Sequence, residues 1–302
     1  MEYICKLCNQ KIESNKHFWE FHSIKIADYF ERHEPRETLT GHPVVFKKDI
    51  EQYFETQFLD LNDRNAWAKK NPEAAKELFI DLLVKRKLKK NWKYAPGETQ
   101  LRLAGLPSIL WFEKQFNLSF NEICKKLDFQ IRFNNTKLDI DWAAPIEVII
   151  DTREQKELNL DKHITIVKHK LHYGDYALAN NEKISIERKS ISDFAGTMSA
   201  GYERFQKELQ RAKKDHGYLV ILVESSWADF KSIEYLPQTK HIQSTFDHLA
   251  KRARDLYEQF DIFQIVFVDG RKSAAKTAEF ILKLGKKVKK TDLQLLVNKK
   301  LI

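Results

Sequence analysis

Two patterns are missing from this sequence: a disulfide framework and a long apolar run. Three cysteines among 302 residues do not make a disulfide-stapled fold, but Cys5 and Cys8 form a C-x2-C pair, which in a non-secreted chain suggests metal or redox chemistry. No stretch approaches the roughly 20 apolar residues of a membrane span. The amino terminus, MEYICKLCNQ, lacks the apolar run of a signal peptide. We therefore expect an intracellular protein, neither secreted nor bound to a membrane.

The composition is that of a basic globular protein. A hydrophobic fraction of 42% and a charged fraction of 31% are ordinary for such chains, and the length suggests two or three domains. The formal net charge is +9, which favours an anionic partner, most commonly a nucleic acid. A solvated lysine-rich surface would give the same charge, so the charge alone leaves both explanations open.

The chain divides into four regions by their residue patterns. Residues 1–46 hold two of the three cysteines and most of the early histidines, and residues 47–142 have a helical pattern. Residues 143–285 alternate strands with helices, which predicts an α/β domain with a mixed sheet flanked by helices. Residues 286–302 are a basic tail with no obvious fold of its own.

The α/β region has a regular order of elements. Strands are predicted at residues 146–151, 164–171, 183–189, 218–225 and 261–269, and helices at residues 192–214, 242–260 and 273–285. We expect the first of these helices to begin at Ser192 or Asp193. The apolar strand YLVILVES is of the kind found centrally in covered sheets.

The third predicted strand carries three charges where it should still be packed, Glu187, Arg188 and Lys189. Because side chains alternate along a strand, Glu187 and Lys189 project from one face and Arg188 from the other. One strand earlier, HYGDYAL supplies Asp175, and Gly174 allows a tight turn there. Asp175 and Glu187 could share a Mg2+ ion, which can polarise a scissile phosphate and acidify water. Lys189 could orient the attacking water or stabilise charge on the phosphate.

Two further acids flank this set. Asp151 ends the first strand in IIDTREQ and is followed by Arg153 and Glu154, and Asp193 comes four residues after the lysine. Glu-x-Lys pairs are common on exposed strands, so the ERK triplet alone carries little weight. The order D-x-R-E, then G-D-Y, then E-R-K-x3-D, each on the expected element, favours a shared site.

These residues carry a resemblance to the XPF-type structure-selective nuclease domain, a branch of the PD-(D/E)XK superfamily. The match runs from Val148 to about Leu284, and its centre is the family motif G-D-x(n)-E-R-K-x3-D, here GDYALANNEKISIERKSISD. The resemblance implies a restriction-endonuclease-like α/β fold and cleavage of one DNA strand per active site with Mg2+ or Mn2+. It also implies metal binding by Asp175 and Glu187 together with Asp151.

The resemblance assigns further roles. It makes Lys189 catalytic, and the supporting members of the site are Arg153, Glu154, Arg188 and Asp193. Arg204 and Gln206 resemble the family's polar positions near the DNA path. Family members often carry tandem helix-hairpin-helix domains after the nuclease. We find no room for them here and expect the amino-terminal half to select the substrate.

The amino-terminal region contains a candidate zinc site with two ligand pairs, Cys5-x2-Cys8 and His17-x4-His22. Two thiolates and two imidazoles make a closed tetrahedral set for Zn2+. His33 and His42 are alternative ligands, and free cysteines with surface histidines are the alternative to any metal. The segment resembles small Cys2His2 zinc fingers of phage and mobile-element proteins, with SIKIADYF as the following helix.

The middle region resembles another DNA-associated module. Leu106–Phe129 is similar to the short helical repeats that accompany homing endonucleases. The alternative is a helical connector whose aromatic residues are core. If the polar faces contact phosphates, the candidates are Lys114, Lys125, Lys126 and Arg132.

Together these patterns favour a Mg2+-dependent DNA endonuclease, which we expect to be a sequence-specific homing or mobile-element enzyme of the cytoplasm or nucleoid of a bacterial or phage-infected cell. A structure-selective nuclease acting on branched DNA is the alternative. A non-catalytic DNA-binding scaffold would have lost acids or the lysine of the motif, which this chain keeps. One active site per chain also suggests a homodimer through the nuclease domain, with the helix at Phe246–Phe260 as the candidate contact.

Overall fold

The computed structural model describes residues 4–14, 16–33, 61–134, 138, 140–236, 239 and 244–302. These residues belong to two compact units, Met1–Ile80 and Asp81–Ile302. None of the described helices combines the length and the apolar character needed to cross a bilayer.

The first unit opens with a miniature core. Its described helices are α1 (Lys16–His22), α2 (Ile26–His33) and α3 (Leu61–Lys70), and α4 (Pro72–Lys90) begins in it. An isolated bridge between Ile4 and Lys11 closes the loop that carries both cysteines. Phe18 and Tyr29 are fully buried with their ring centroids 4.4 Å apart, which packs α1 against α2.

The second unit contains the sheet and the remaining helices. The strands are β1 (Glu147–Asp151), β2 (Thr165–His169), β3 (Tyr176–Leu178), β4 (Asn181–Lys189), β5 (Tyr218–Val223) and β6 (Phe263–Phe267). The helices are α5 (Glu98–Leu103), α6 (Ile109–Phe116), α7 (Phe120–Lys126), α8 (Ile191–Met198), α9 (Tyr202–Lys214), α10 (Trp227–Lys231), α11 (Phe246–Gln259), α12 (Gly270–Leu284) and α13 (Leu293–Asn298). Short 3-10 helices lie at Ile233–Tyr235 and Gly285–Lys290.

The sheet is mixed, as the sequence predicts. Its order is β2-β1-β3-β4-β5-β6, and β3 is antiparallel to both of its neighbours whereas the other pairs are parallel. All six residues of β5 are buried because helices cover both faces of the sheet. One core cluster joins α8, α9 and α11 to the sheet, and a second joins α12 and α13 to its other face.

Three local features differ from the sequence prediction. Residues Tyr176–Leu178, for which the sequence predicts no strand, form the short strand β3 in a hairpin with β4. The predicted helix over residues 192–214 is two helices, because the Ser199 hydroxyl bonds back to the carbonyl of Ala195 (2.7 Å) and a turn follows. The amino-terminal cap is Ser190, not Ser192 or Asp193, since its oxygen accepts from the Asp193 N–H.

The carboxyl-terminal segment is folded, so the prediction of a tail without a fold of its own is wrong. In α13, Leu293 and Leu296 are buried in the core beneath α12. At its start, the Asp292 carboxylate accepts from the backbone N–H of Glu98 on α5 at 2.7 Å. The basic pattern of the sequence hid this because lysines flank a short apolar helix.

The middle helices α5–α7 lie in the same unit as the sheet. Glu98 is fully buried, and its carboxylate accepts from the N–H of Ile109 (2.7 Å) and the amide of Asn298 (2.8 Å). The hydroxyl of Thr99 donates to the carbonyl of Ile265 on β6 at 2.8 Å. Since each buried polar group has a partner, these contacts fix α5 against β6 and α13.

Candidate active site and candidate zinc site

Asp175 is held between the ends of two strands. Its N–H donates to the carbonyl of Ile186 on β4 (2.7 Å), and its carbonyl accepts from the N–H of Asp151 on β1 (2.8 Å). Gly174 makes this approach possible with a φ of +74°, and a Cβ there would lie 2.8 Å from the Cβ of Ser185. The predicted tight turn at Gly174 is therefore confirmed.

Asp175, Glu187 and Lys189 form the centre of the candidate active site. Lys189 Nζ lies 2.8 Å from a carboxylate oxygen of Glu187, as expected for two side chains on one face of β4. A carboxylate oxygen of Asp175 accepts from the N–H of Arg188 at 2.8 Å. Burial and the nearby charge of Glu187 raise the pKa of Asp175 to about 8. Two neighbouring carboxylates are a donor set that suits a hard divalent cation.

The carboxylate of Asp151 is hydrogen-bonded to Arg153. Its carboxylate accepts from Arg153 Nε (2.7 Å) and Nη2 (2.9 Å), from the Arg153 N–H (2.8 Å) and from the Leu171 N–H (2.6 Å). Burial opposes ionisation of Asp151, but the hydrogen bonds from Arg153 prevail and lower its pKa to about 2. Asp151 thus orients the largely exposed guanidinium of Arg153, and its predicted binding to the metal stays a prediction.

Arg188 faces the other side of β4. Its guanidinium donates to both oxygens of Glu154 at 3.1 Å and lies 3.3 Å from Glu224. Burial opposes the charge on Arg188, but the bonds to Glu154 prevail and raise its pKa. Arg271 completes the network with a contact to Glu224 at 3.1 Å. The ion pair of Arg188 and Glu154 therefore stabilises β4 at the border of the site.

A cleft runs past the centre on both sides. The inner lobe has a volume of about 320 Å³. His172, Glu208 and Arg211 are among the residues that line this lobe alone. The outer lobe has a volume of about 620 Å³. Lys156 and Asp193 are among the residues that line this lobe alone. Both lobes are also lined by Arg153, Asp175, Glu187, Lys189, Thr197 and Arg204. The three central side chains thus lie where the two lobes meet.

The remaining predicted residues have different positions. Asp193 is exposed, and its carboxylate accepts from the Ser190 hydroxyl at 2.7 Å. Arg204 lines the cleft, whereas Gln206 donates to Gln259 on α11 at 2.8 Å. Arg132 donates to the carbonyl of Asp261. The side chains of Lys114, Lys125 and Lys126 are exposed on α6 and α7. Of the predicted DNA contacts, only Arg204 therefore lines the cleft.

The sequence prediction missed several residues of the cleft, among them Lys156, His172, Thr197, Glu208 and Arg211, and one residue of the ion-pair network, Glu224. A signal for Glu208 exists in its spacing, since it follows Arg204 by four residues on α9 and so shares a helix face with it. Glu224 directly follows the apolar strand β5. A largely buried acid at that position needs a charged or hydrogen-bonding partner. That partner, Arg188, is evident only when the strands pair.

The predicted zinc ligands lie together. One ligand atom from each of Cys5, Cys8, His17 and His22 falls within 4.8 Å of the others. Burial would raise the pKa of the Cys5 thiol, but backbone hydrogen bonds from Leu7 and Cys8 prevail and lower it. Burial and the neighbouring His22 lower the pKa of His17. A thiolate and a neutral imidazole are the forms that bind Zn2+, so the four residues could hold this ion.

The two alternative histidines are not in this cluster. The ring of His33 lies 4.9 Å from that of Tyr29 on α2, and His42 is outside the described residues.

Part of this chain is similar to known proteins. Residues 150–284 match the family model of the ERCC4 domain. Among solved structures, XPF from Aeropyrum pernix is 22% identical, with 47% of this chain and 67% of that chain covered and a TM-score of 0.35. The same protein in complex with DNA is 21% identical, with 47% and 66% covered and a TM-score of 0.35. No curated protein matches the chain significantly.

The sheet, the cleft and its carboxylates define a nuclease domain. The match of residues 150–284 to the ERCC4 domain, the XPF-type nuclease domain, indicates a DNA endonuclease. The fold class and the enzyme class expected from the sequence are confirmed.

Proposed function

We propose that this endonuclease hydrolyses DNA phosphodiester bonds with Mg2+ or Mn2+ held by Asp175 and Glu187. The observation that carries the proposal is the position of these two carboxylates and Lys189 where the two lobes of the cleft meet. A DNA strand lying along the cleft would present one phosphate to this centre. The bound ion would polarise that phosphate and make water a better nucleophile.

The surrounding side chains have separate tasks in this proposal. Lys189 would donate a hydrogen bond to the phosphate or to the attacking water and so stabilise developing negative charge. Arg153, oriented by Asp151, would bind a neighbouring phosphate oxygen. Arg204 would bind the backbone further along the strand, because its exposed guanidinium borders both lobes.

Between the two substrate classes, we favour branched DNA over a fixed duplex sequence. The segment that resembles homing-endonuclease repeats is joined to the nuclease sheet through α5, because the Ile109 N–H donates to the buried Glu98 carboxylate and the Thr99 hydroxyl donates to the carbonyl of Ile265. This favours a structural role for α5–α7 over an independent module that reads bases. Their exposed lysines, Lys114, Lys125 and Lys126, would then contact phosphates and contribute affinity without sequence preference.

Two further features belong to the proposal. The Cys5, Cys8, His17 and His22 cluster would bind a structural Zn2+, because all four protein positions of a tetrahedral site are present. A homodimer would supply the second active site for a double-strand break. In α11, Leu249, Ala253 and Leu256 are buried against the nuclease core, so only the opposite face of this helix is free for such a contact.

The test is a Mg2+ cleavage assay that compares the wild type with Glu187→Gln. The substrates are a flap, a fork, a four-way junction and a long duplex library, with the cut ends sequenced. Glu203→Gln is the matched control, since Glu203 is an exposed acid of α9 outside both lobes. Cutting of the branched substrates alone, lost in Glu187→Gln and kept in Glu203→Gln, supports the proposal. Cutting at a few discrete duplex sites would favour the homing alternative, and no cutting of any substrate would refute nuclease activity.

A further inference from the structure

Glu208 is an acid of the cleft that the motif does not include. It lies on α9, and its side chain extends into the inner lobe, where one carboxylate oxygen accepts from the N–H of Gly174 at 3.3 Å. Gly174 is the residue with positive φ that immediately precedes Asp175. A side chain on a covering helix is therefore bonded to the turn that places a carboxylate of the centre.

The Glu208 carboxylate also interacts electrostatically with other members of the centre. Burial and the charge of Glu187 raise the pKa of Glu208, whereas the hydrogen bond from Gly174 and the charge of Lys189 favour its ionised form. Lys189 itself is bonded to Glu187, and its side chain is only 10% exposed, so it depends on protein groups for its ionic partners. If Glu187 turned its oxygens toward a bound cation, Lys189 would lose part of that partnership. Glu208 is then a carboxylate of the inner lobe that the proposed function does not assign to the cation.

We propose that Glu208 is a positioning residue of the nuclease centre. Its hydrogen bond to Gly174 holds the turn that carries Asp175, and its negative charge keeps the Lys189 ammonium directed at the cleft while Glu187 binds the cation. This inference rests on the proposed function. It assigns two separable contributions to one side chain, one from hydrogen bonding and one from charge.

Two variants separate the contributions. Glu208→Gln keeps an oxygen that can accept from the Gly174 N–H but has no charge, whereas Glu208→Ala removes both. Glu203→Gln on the same helix is the control. The measurements are the affinity of the DNA-free protein for Mn2+, followed by the electron paramagnetic resonance signal of the free ion, and kcat and KM on the branched substrates.

We expect Glu208→Ala to weaken Mn2+ binding and to lower kcat, each by about tenfold, which is the usual cost of losing a group that orients a metal ligand. Glu208→Gln should bind Mn2+ within about twofold of the wild type yet lose about tenfold in kcat with KM unchanged. Wild-type kcat in Glu208→Gln would overturn the charge contribution, and wild-type Mn2+ affinity in Glu208→Ala would overturn the hydrogen-bond contribution.

Failure of the proposed function would have a different signature. If the wild type cut no substrate, the Mn2+ measurement on DNA-free protein would still decide whether Glu208 positions the site. If Glu208→Ala did not fold, Glu208→Gln would carry the test, and equal kcat in that variant and the wild type would refute the proposal.

Discussion

Arg188 and Glu154 form a buried ion pair behind the strand whose opposite face carries Glu187 and Lys189. The pair has two hydrogen bonds of 3.1 Å, and the side chains of Arg188 and Glu154 are 9% and 4% exposed. Along β4, Glu187 and Lys189 thus project toward the centre of the cleft, whereas Arg188 between them projects toward its ion-pair partners.

Replacing Arg188 should therefore cost stability. Arg188→Ala leaves the carboxylates of Glu154 and Glu224 buried without this partner, so we expect a loss of about 3 to 5 kcal/mol in the free energy of unfolding. Urea titration measures it, with Arg204→Ala as an exposed control that should change stability little. Normal stability of Arg188→Ala combined with lost cleavage would show that Arg188 acts in the chemistry instead.

The Gly174 turn should not accept a side chain. Gly174→Ala must adopt a φ of +74° and place its Cβ 2.8 Å from that of Ser185, so we expect a loss of roughly 1 to 3 kcal/mol and weaker Mn2+ binding at Asp175. Gly196→Ala is the matched control, because nothing lies within 4 Å of a Cβ in that helical position. Equal unfolding free energies for the two variants would contradict the strain at Gly174.

The role of Asp151 can be separated from that of Asp175 by metal affinity. Because Arg153 and the Leu171 N–H occupy the Asp151 carboxylate, we expect Asp151→Asn to keep Mn2+ affinity within about threefold and to lose cleavage as Arg153 is released. Asp175→Asn should lose both. Isothermal titration with Mn2+ decides the point, and a large loss of affinity in Asp151→Asn would make Asp151 a metal ligand.

Asp292 should make stability depend on pH. Burial, with the charge of Glu98 adding to it, raises the pKa of Asp292 to about 6. The folded protein then keeps a proton that the unfolded chain loses near pH 4, so this stabilisation is complete below pH 4 and is lost as the pH rises through about 6. The advantage of the wild type over Asp292→Asn should shrink by roughly 1 to 3 kcal/mol between pH 4 and 7. Urea titrations across that range would show an unchanged difference if Asp292 titrates normally.

Zinc binding should depend on Cys5 but not on Cys124. We expect one Zn2+ per chain by elemental analysis, lost in Cys5→Ser and His22→Ala because each removes one of four ligands. Cys124→Ala should keep the ion, since Cys124 is buried in the second unit and is not part of the cluster. Zinc retained in Cys5→Ser, or absent from the wild type, would argue for a finger held by its small core alone.

The local chemistry could be predicted from the sequence. The alternation of β4 predicts that Glu187 and Lys189 share a face, and the contact at 2.8 Å agrees. The ligand spacings predict the Cys5, Cys8, His17 and His22 cluster, because both pairs span short segments that can close on one ion. In each case residues close in sequence are constrained by backbone geometry alone.

What the sequence could not predict depends on long-range packing. Glu208 reaches Gly174 from a helix that begins 28 residues later, and Arg188 meets Glu224 only because β4 pairs with β5. The start of α13 is held by the N–H of Glu98, nearly 200 residues earlier in the chain, which donates to Asp292. Spacing and alternation determine which side chains share a face, but which faces meet is decided by the burial of the sheet and its helices, which requires the whole second unit.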